Sequence, residues 1–531
     1  MALARTCLAC LAAALLISLA APAPAAEWVQ WGGSYERNMV SAETNLPMTF
    51  DSGERPEKPK KAEGETTEAG PAEPPPPSVD GTVVWSAKLG NQTYGNPTVG
   101  GGKVFIGTNN ASPRDPRIKG DKGVLMCFDD ATGKFLWQLV VPKIPEEGQF
   151  NGDCKELGIC SSPLIDGDRV YITTNRCEVV CLSTEGLGKE NRGPYKDEGQ
   201  HMAGPGQPPI EPTAQDADII WLTDMRAEFK VWPQDATNCS MIVLGNYLYC
   251  CTSNGVDRSH VNIPNPDAPS FIVLDKNTGK LVARDNTPNG HRFFHGNWSN
   301  PTYAKVDGRG LVFWGGGDGW CYAFDQEPLP PDDQGVRYLR TVWMGDCNPP
   351  ERKAFKYKHA EGPSEILSTP VFWKDKVYVT VGQDPLHGNG IGTLTCLNAK
   401  GEGDITQSGI VWQYAKGFHR SLSSVSIYNG LLFIGDYWGF VHCLDPETGK
   451  VHWVHDLKTR LWGSTFAADG KVYIGTESKK LVVFEPSKEC KILGETYLGA
   501  KMYTTPIAVN GRLYIASQEK LFVVKKVQSE K

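Results

Sequence analysis

Beyond residue 21 no stretch approaches the about 18 uninterrupted apolar residues that a membrane-spanning helix needs. Positive charge is also in short supply. The chain sets 54 Lys+Arg against 61 Asp+Glu, a net charge of -7, which argues against a nucleic-acid binder because phosphate affinity needs clustered Lys and Arg. The mature chain has no C-x-x-C-H haem signature. Its 10 His are scattered and none has a recurring Ser or Asp partner, so a nucleophilic triad is not supported. With 40% hydrophobic and 22% charged residues, wholesale disorder is excluded. What the chain has in quantity is 57 Gly, 38 Pro and 15 Trp. That mixture points to many short strands joined by turns rather than to long helices.

The first residues read as an export signal. Arg5 precedes an apolar run from Leu8 to Ala21, which Ala-Pro-Ala-Ala follows at 23–26, with cleavage expected after Ala25 or Ala26. Pro22 and Pro24 break the run too early for a comfortable membrane span; the rival reading is an uncleaved anchor. The mature protein is therefore expected in the periplasm or otherwise outside the cytoplasm. Trp28 and Trp31 mark 26–50 as a segment that docks on something. Residues 51–81, including Pro74 to Pro77, read as a flexible, partly extended linker.

From 82 to 527 one pattern recurs: a strand, a Gly/Asp/Asn turn, and a second strand with an aromatic residue at the seventh place. Examples are VGGGKVFIGT (99–108), IDGDRVYITT (165–174) and AADGKVYIGT (467–476). The aromatics are Phe105, Tyr171, Tyr249, Tyr378, Phe433, Tyr473 and Tyr514, with Phe313 in an eighth copy that carries one extra residue. A second module follows, seen as CFDDATGKFLW (127–137), VLDKNTGKLVA (273–283) and CLDPETGKVHW (443–453). It reads as a third strand, an Asp…Gly turn and a fourth strand ending on Trp, a Trp that recurs as Trp221, Trp343 and Trp412. Four strands per unit at intervals of about 40 residues predict an all-β, eight-bladed β-propeller. The last unit stops after LFVVKK (521–526), and a spare strand, VVWSAKL (83–89), stands at the front. We expect 83–89 to close the ring against the last blade. Insertions at 108–123, 186–218, 253–269 and 326–340 should project from the faces.

Cys127, Cys181, Cys396 and Cys443 share a repeat position that holds Val273, Ala323, Val483 or Val523 in other copies, so they read as small buried hydrophobes. Cys154 and Cys160 flank a short loop and are the best disulfide candidate in an exported chain. Adjacent Cys250 and Cys251 read as packing residues, with a vicinal disulfide as the alternative. Gly315-Gly-Gly-Asp318-Gly319 leads into a strand and is a hairpin turn, not a phosphate loop. Gln383, Asp384 and His387 sit in a Gly-rich stretch that reads as a surface turn and could touch a ligand or cation. Ser161-Ser-Pro, Ser299-Asn-Pro, Ser368-Thr-Pro and Thr504-Thr-Pro start inner strands, where small hydroxyl residues fit a crowded axis.

VYIGT followed by CLDPETGKVHW resembles the pyrroloquinoline-quinone-type (PQQ-like) β-propeller repeat, and the resemblance covers 83–526. It implies one of two branches: quinoprotein alcohol and sugar dehydrogenases, with PQQ and calcium in the central funnel, or cofactor-free scaffolds similar to BamB. In the dehydrogenase branch Asn254 would bind calcium and Trp298 would lie beside PQQ. The stretch that carries the catalytic base there is His295-Gly-Asn-Trp298-Ser299 here, with Ser299 at the base position. A hydroxyl cannot accept a proton near neutral pH without its own base, and losing a positioned base typically costs 10²–10⁴-fold in rate. Asn254 beside Gly255 also reads as a plain turn residue. The sequence thus leads to an exported, non-catalytic propeller that binds envelope or extracellular proteins, with no catalytic residues and no cofactor. The second reading is a periplasmic PQQ- and calcium-dependent dehydrogenase.

Overall fold

Short strands separated by Gly, Asp and Asn turns pair mostly with their chain neighbours, and that local pairing builds the molecule. The computed structural model describes residues 27–56, 79–145, 148, 150, 152–293, 295–349, 364–383 and 391–527. The export signal, residues 57–78 of the linker, and Asp384 and His387 lie outside the described residues. Eight antiparallel sheets follow one another: blades 1 to 7 at 98–142, 164–224, 242–284, 302–346, 371–414, 426–456 and 466–497, and blade 8 from 507–526 plus Gly81–Lys88. The front strand pairs antiparallel with Lys520–Lys526 and sets Trp85 opposite Val523, so the first strand completes the last blade.

The repeat positions meet across each sheet. Phe105 lies opposite Cys127, and Cys127 opposite Trp137. Tyr171–Cys181–Trp221, Phe313–Ala323–Trp343, Tyr378–Cys396–Trp412 and Phe433–Cys443–Trp453 repeat the same row. Each Trp indole then donates to a carbonyl in the next blade: Trp137 to Thr184 (3.1 Å), Trp221 to Lys276 (3.1 Å), Trp343 to Ala399 (2.8 Å), Trp412 to Pro446 (3.1 Å) and Trp453 to Ser487 (3.0 Å). Trp85 donates to Asp130 of blade 1 (2.8 Å) and so joins the last blade to the first. The Thr-Gly-Lys turn supplies the seat. Asp129 Oδ1 accepts from the Thr132 amide (2.9 Å) and hydroxyl (2.6 Å), and Gly133 takes φ 71°; a Cβ there would fall 2.6 Å from the Trp85 ring. Only glycine fits both constraints.

Blades 3 and 7 carry Ala283 and Gly494 in the Trp place. In blade 7 the N-terminal segment fills the gap: a Cβ on Gly494 would lie 2.5 Å from Thr49, and the Tyr473 hydroxyl donates to the Pro47 carbonyl at 2.9 Å.

The insertions at 186–218 and 326–340 do not project from the faces. They run along the rim, where Gln138 of the outermost strand of blade 1 donates to Gln215 (2.9 Å) and accepts from Ala217 (2.8 Å). Arg284 of blade 3 does the same with Arg337 and Leu339. Gly403–Asp404 adds a fifth, parallel strand to blade 4. The reason is that an outermost strand left bare exposes unpaired backbone groups, and these connections cover them.

All thirteen cysteines of the described residues are free thiols. The expected Cys154–Cys160 bridge is absent, because Cys154 Sγ donates to Asp235 Oδ1 (3.4 Å) and Cys160 Sγ to the Gly158 carbonyl (3.7 Å). Cys250 and Cys251 are likewise free and fully buried. Burial pushes the Cys160, Cys181, Cys396 and Cys443 thiols up to about 12, so they stay protonated and inert.

Trp137→Ala, at a site only 1% exposed, is expected to destabilise the fold by roughly 3–5 kcal/mol in urea unfolding. The same change at Trp438, 53% exposed, should cost less than about 0.5 kcal/mol. Native protein should show one fast thiol toward a disulfide reagent, that of exposed Cys490, lost in Cys490→Ser. Denaturant alone, without reductant, should release the rest.

Candidate functional site

The eight innermost strands enclose a channel along the axis. The residue that leads into each strand is small and polar, and these residues hold one another in a circle. The Asn96 amide donates to Ser162 Oγ (2.7 Å), Ser162 to Ser240 Oγ (3.0 Å) and Ser240 to Asn300 Oδ1 (2.6 Å). Asn300 Nδ2 donates to Thr369 Oγ1 (2.8 Å), and the Thr369 amide to Ser424 Oγ (2.9 Å). Ser424 continues to Ser464 Oγ (2.9 Å), Ser464 to Thr505 Oγ1 (2.9 Å), and Thr505 back to Asn96 Oδ1 (2.8 Å). The circle takes one residue from each blade.

Below the circle the segment 27–46 winds past every innermost strand. Trp28 exchanges two hydrogen bonds with Val99 of blade 1, and Val29 accepts from Ile165 of blade 2. The Tyr35 hydroxyl donates to Val243 of blade 3, and its carbonyl accepts from Tyr303 of blade 4. Glu36 accepts from Phe372, Asn38 pairs with Ile427, Met39 accepts from Ala467, and Glu43 accepts from Asn510 and Gly511. Arg37 is fully buried at the hub and donates to the carbonyls of Pro301 (2.9 Å), Ser240 (3.0 Å) and Met241 (3.0 Å). Burial pulls its pKa down to about 9, which leaves it charged at neutral pH. The channel is therefore stoppered at one end, with Trp31 facing into it.

Above the circle the channel widens into a funnel that encloses about 320 Å³. One wall is aromatic: Trp462 stacks on Tyr503 at 4.7 Å, and Tyr94 lies 5.2 Å from Tyr503. Glu477 Oε1 accepts from both the Trp462 indole (2.7 Å) and the Tyr503 hydroxyl (3.0 Å). The opposite wall holds Trp298, whose indole donates to the Ala236 carbonyl (2.8 Å), and Asp235. Behind Trp298 sits His295, fully buried, with the rings 4.9 Å apart. His295 Nε2 is 3.0 Å from His260 Nε2 and 3.4 Å from Asp235 Oδ2.

The residues singled out in the sequence lie as follows. Asn254 is fully buried near this wall, but its amide serves the main chain: Oδ1 accepts from Trp232 N (2.9 Å) and Nδ2 donates to the Asn265 carbonyl (3.0 Å). Both ends of the side-chain amide are therefore already bonded to the main chain. Ser299 is fully buried and donates to the Ser368 carbonyl (2.7 Å), a link between blades 4 and 5. Its hydroxyl faces no base among those bonds. Trp298 alone of the three reaches the funnel. The Asp318 turn is a hairpin turn in blade 4, where the buried carboxylate accepts from Arg292 (2.6 Å) and Tyr322 (2.6 Å). The residues that sequence reasoning missed are Asp235 and His260. They lie in two different connections, and no spacing links them to His295.

A family model described as "Outer membrane protein assembly factor BamB" matches residues 77–190 and 437–527. No curated protein sequence matches the chain. Among solved structures, BamB from Moraxella catarrhalis superposes with a TM-score of 0.54 at 15% identity, over 84% of this chain and 99% of that one. A quinohemoprotein alcohol dehydrogenase from Comamonas testosteroni gives a TM-score of 0.46 at 13% identity, over 95% of this chain and 82% of that one. At these identities the likeness is one of fold.

Ser424→Ala should remove both the acceptor for Thr369 N and the donor to the Thr369 carbonyl (3.0 Å), leaving a buried amide unpaired. A loss of about 1–3 kcal/mol in unfolding free energy is expected, with Ser424→Thr recovering most of it.

Proposed function

We propose that the chain works as an exported, non-catalytic PQQ-like β-propeller scaffold whose funnel face binds envelope or extracellular proteins, a reading supported by the family-model match over 77–190 and 437–527 and by the fold shared with BamB. The observation that carries this reading is the employment of Ser299. At the position where the resemblance puts a catalytic base stands a hydroxyl that is fully buried and committed to the Ser368 carbonyl. The Asn254 amide, which would hold calcium, is committed to Trp232 and Asn265. The residues present do not supply the base and calcium set that the dehydrogenase branch uses.

The choice of face follows from what covers each end. The segment 27–46 occupies the far end of the channel. The funnel end carries the long connections 143–163, 225–241, 252–270 and 285–301, and exposed Trp438 in the turn between the second and third strands of blade 6. Long loops on a rigid sheet frame are where proteins place recognition. An exposed aromatic supplies contact area at small entropic cost.

Two measurements test the reading. Purified protein given PQQ and Ca²⁺ should take up no stoichiometric quinone and should oxidise no simple alcohol or sugar with a dye acceptor; tight PQQ with turnover overturns the proposal. Capture of envelope proteins should weaken in Trp438→Ser and persist in Val454→Ser, whose side chain lies exposed on an outermost strand.

A further inference from the structure

We propose that Asp235, His260 and His295 form a binding site for one divalent transition-metal ion, zinc-like in its preferences, on the wall of the funnel. The site goes beyond the scaffold reading and stands whether or not the face binds protein. Three connections bring it together: Asp235 comes from the one between blades 2 and 3, His260 from the turn between the second and third strands of blade 3, and His295 from the one between blades 3 and 4.

The donor atoms lie within 4.8 Å of one another. The two imidazole Nε2 atoms are 3.0 Å apart, and His295 Nε2 is 3.4 Å from Asp235 Oδ2. A tetrahedral ion with metal–nitrogen and metal–oxygen bonds of about 2.0–2.2 Å spaces its ligands roughly 3.3 Å apart. The two separations at His295, 3.0 Å and 3.4 Å, lie close to that edge length, and all the donor atoms fall within 4.8 Å. Two imidazole nitrogens this close can hold only one proton between them; a metal ion would take both Nε2 lone pairs, with that proton carried instead on the Nδ1 of its own ring. The donor set is chemically selective. Two imidazoles and one carboxylate suit Zn²⁺, Co²⁺, Ni²⁺ or Cu²⁺, whereas Ca²⁺ and Mg²⁺ take oxygen ligands.

The surroundings hold the ligands in place. Gln234 Nε2 donates to Asp235 Oδ1 (3.0 Å), and the Cys154 amide donates to the Asp235 carbonyl (2.7 Å). The backbone of the His260 turn is pinned to that of His295, where Val256 N donates to the His295 carbonyl (3.0 Å) beside a Gly255–Gly296 bridge. Bonds of this kind orient metal ligands and raise affinity. His295 is fully buried and packs edge-on to Trp298, while Asp235 and Cys154 line the funnel. The site therefore meets the cavity through Asp235, with His295 behind it.

The test uses the whole mature chain, stripped with chelator and dialysed against Zn²⁺ alone, with Ca²⁺ in a parallel arm. One Zn²⁺ per chain should be retained, with a raised Tm; Ca²⁺ should give neither. Co²⁺ in the same site should show the visible bands of four-coordinate geometry. His260→Ala should lose the ion while the metal-free Tm stays that of the parent, because this side chain is only half-buried in a loop. Gln234→Ala should weaken Zn²⁺ binding by about 10–100-fold through loosened Asp235. Equal Zn²⁺ retention by parent and His260→Ala would overturn the proposal, as would no retention by the parent or Ca²⁺ binding in place of Zn²⁺.

Discussion

Each blade turns an unpaired strand edge toward the axis, and the hydrogen bonds that satisfy those eight edges hold the rest in register. Backbone N–H and C=O groups left bare in a crowded channel cost about as much as the hydrogen bonds they fail to make. The chain answers at two levels. At the funnel floor one small polar residue per blade links to the next until Thr505 returns to Asn96. Below it, the segment 27–46 passes each innermost strand in turn and bonds to residues of the first seven strands and to the turn after the eighth. Arg37 at the hub gathers the carbonyls of Pro301, Ser240 and Met241 at one guanidinium, a group with donors enough for all of them.

The outer edges are managed differently. Connections of blades 2, 4 and 5 lie along the outermost strands of blades 1, 3 and 4. Between blades, an indole from one sheet rests on the turn glycine of the next and bonds to a carbonyl there. Trp85 performs this for the seam between last and first blades, so closure uses the same contact as the junctions made by Trp137, Trp221 and Trp412. A frame tied at the hub, seam and rim is rigid. It lets irregular loops at the funnel end carry binding groups without loosening the sheets.

Much of this frame was legible in the sequence because it repeats. The seventh-place aromatic, the Asp…Thr-Gly-Lys turn and the closing Trp follow from local turn chemistry, so Phe105, Cys127 and Trp137 align in print as they do in space. The hydroxyl pairs before Pro were read as axis residues, and Ser162, Thr369 and Thr505 do sit in the circle. Asn300 stood in the Ser299-Asn-Pro copy and Asn96 precedes Pro in the same way, but Ser240, Ser424 and Ser464 are followed by Met241, Val425 and Thr465, so no Pro marks those three members. Other features depend on the path of irregular chain. Nothing local says that Thr49 replaces a tryptophan beside Gly494, or that the 186–218 insertion lies along a rim. The Asp235, His260 and His295 cluster is of that kind, since three long connections must converge before it exists. Cys154 misled for the same reason: its sequence neighbour Cys160 is less relevant than Asp235, which the fold brings to its thiol.

The central claim is that the eight blades form one closed, jointly held ring. Hydrogen–deuterium exchange at the amides of Asn96, Ser162, Ser240, Thr369, Ser424, Ser464 and Thr505 tests it most directly, since each donates to the side chain of the next blade. A closed circle predicts that these seven amides are strongly protected and exchange together, in a single opening that follows global unfolding. Separate exchange rates, with Thr505 and Asn96 opening ahead of the others, would mean a seam that is not closed and would contradict the account.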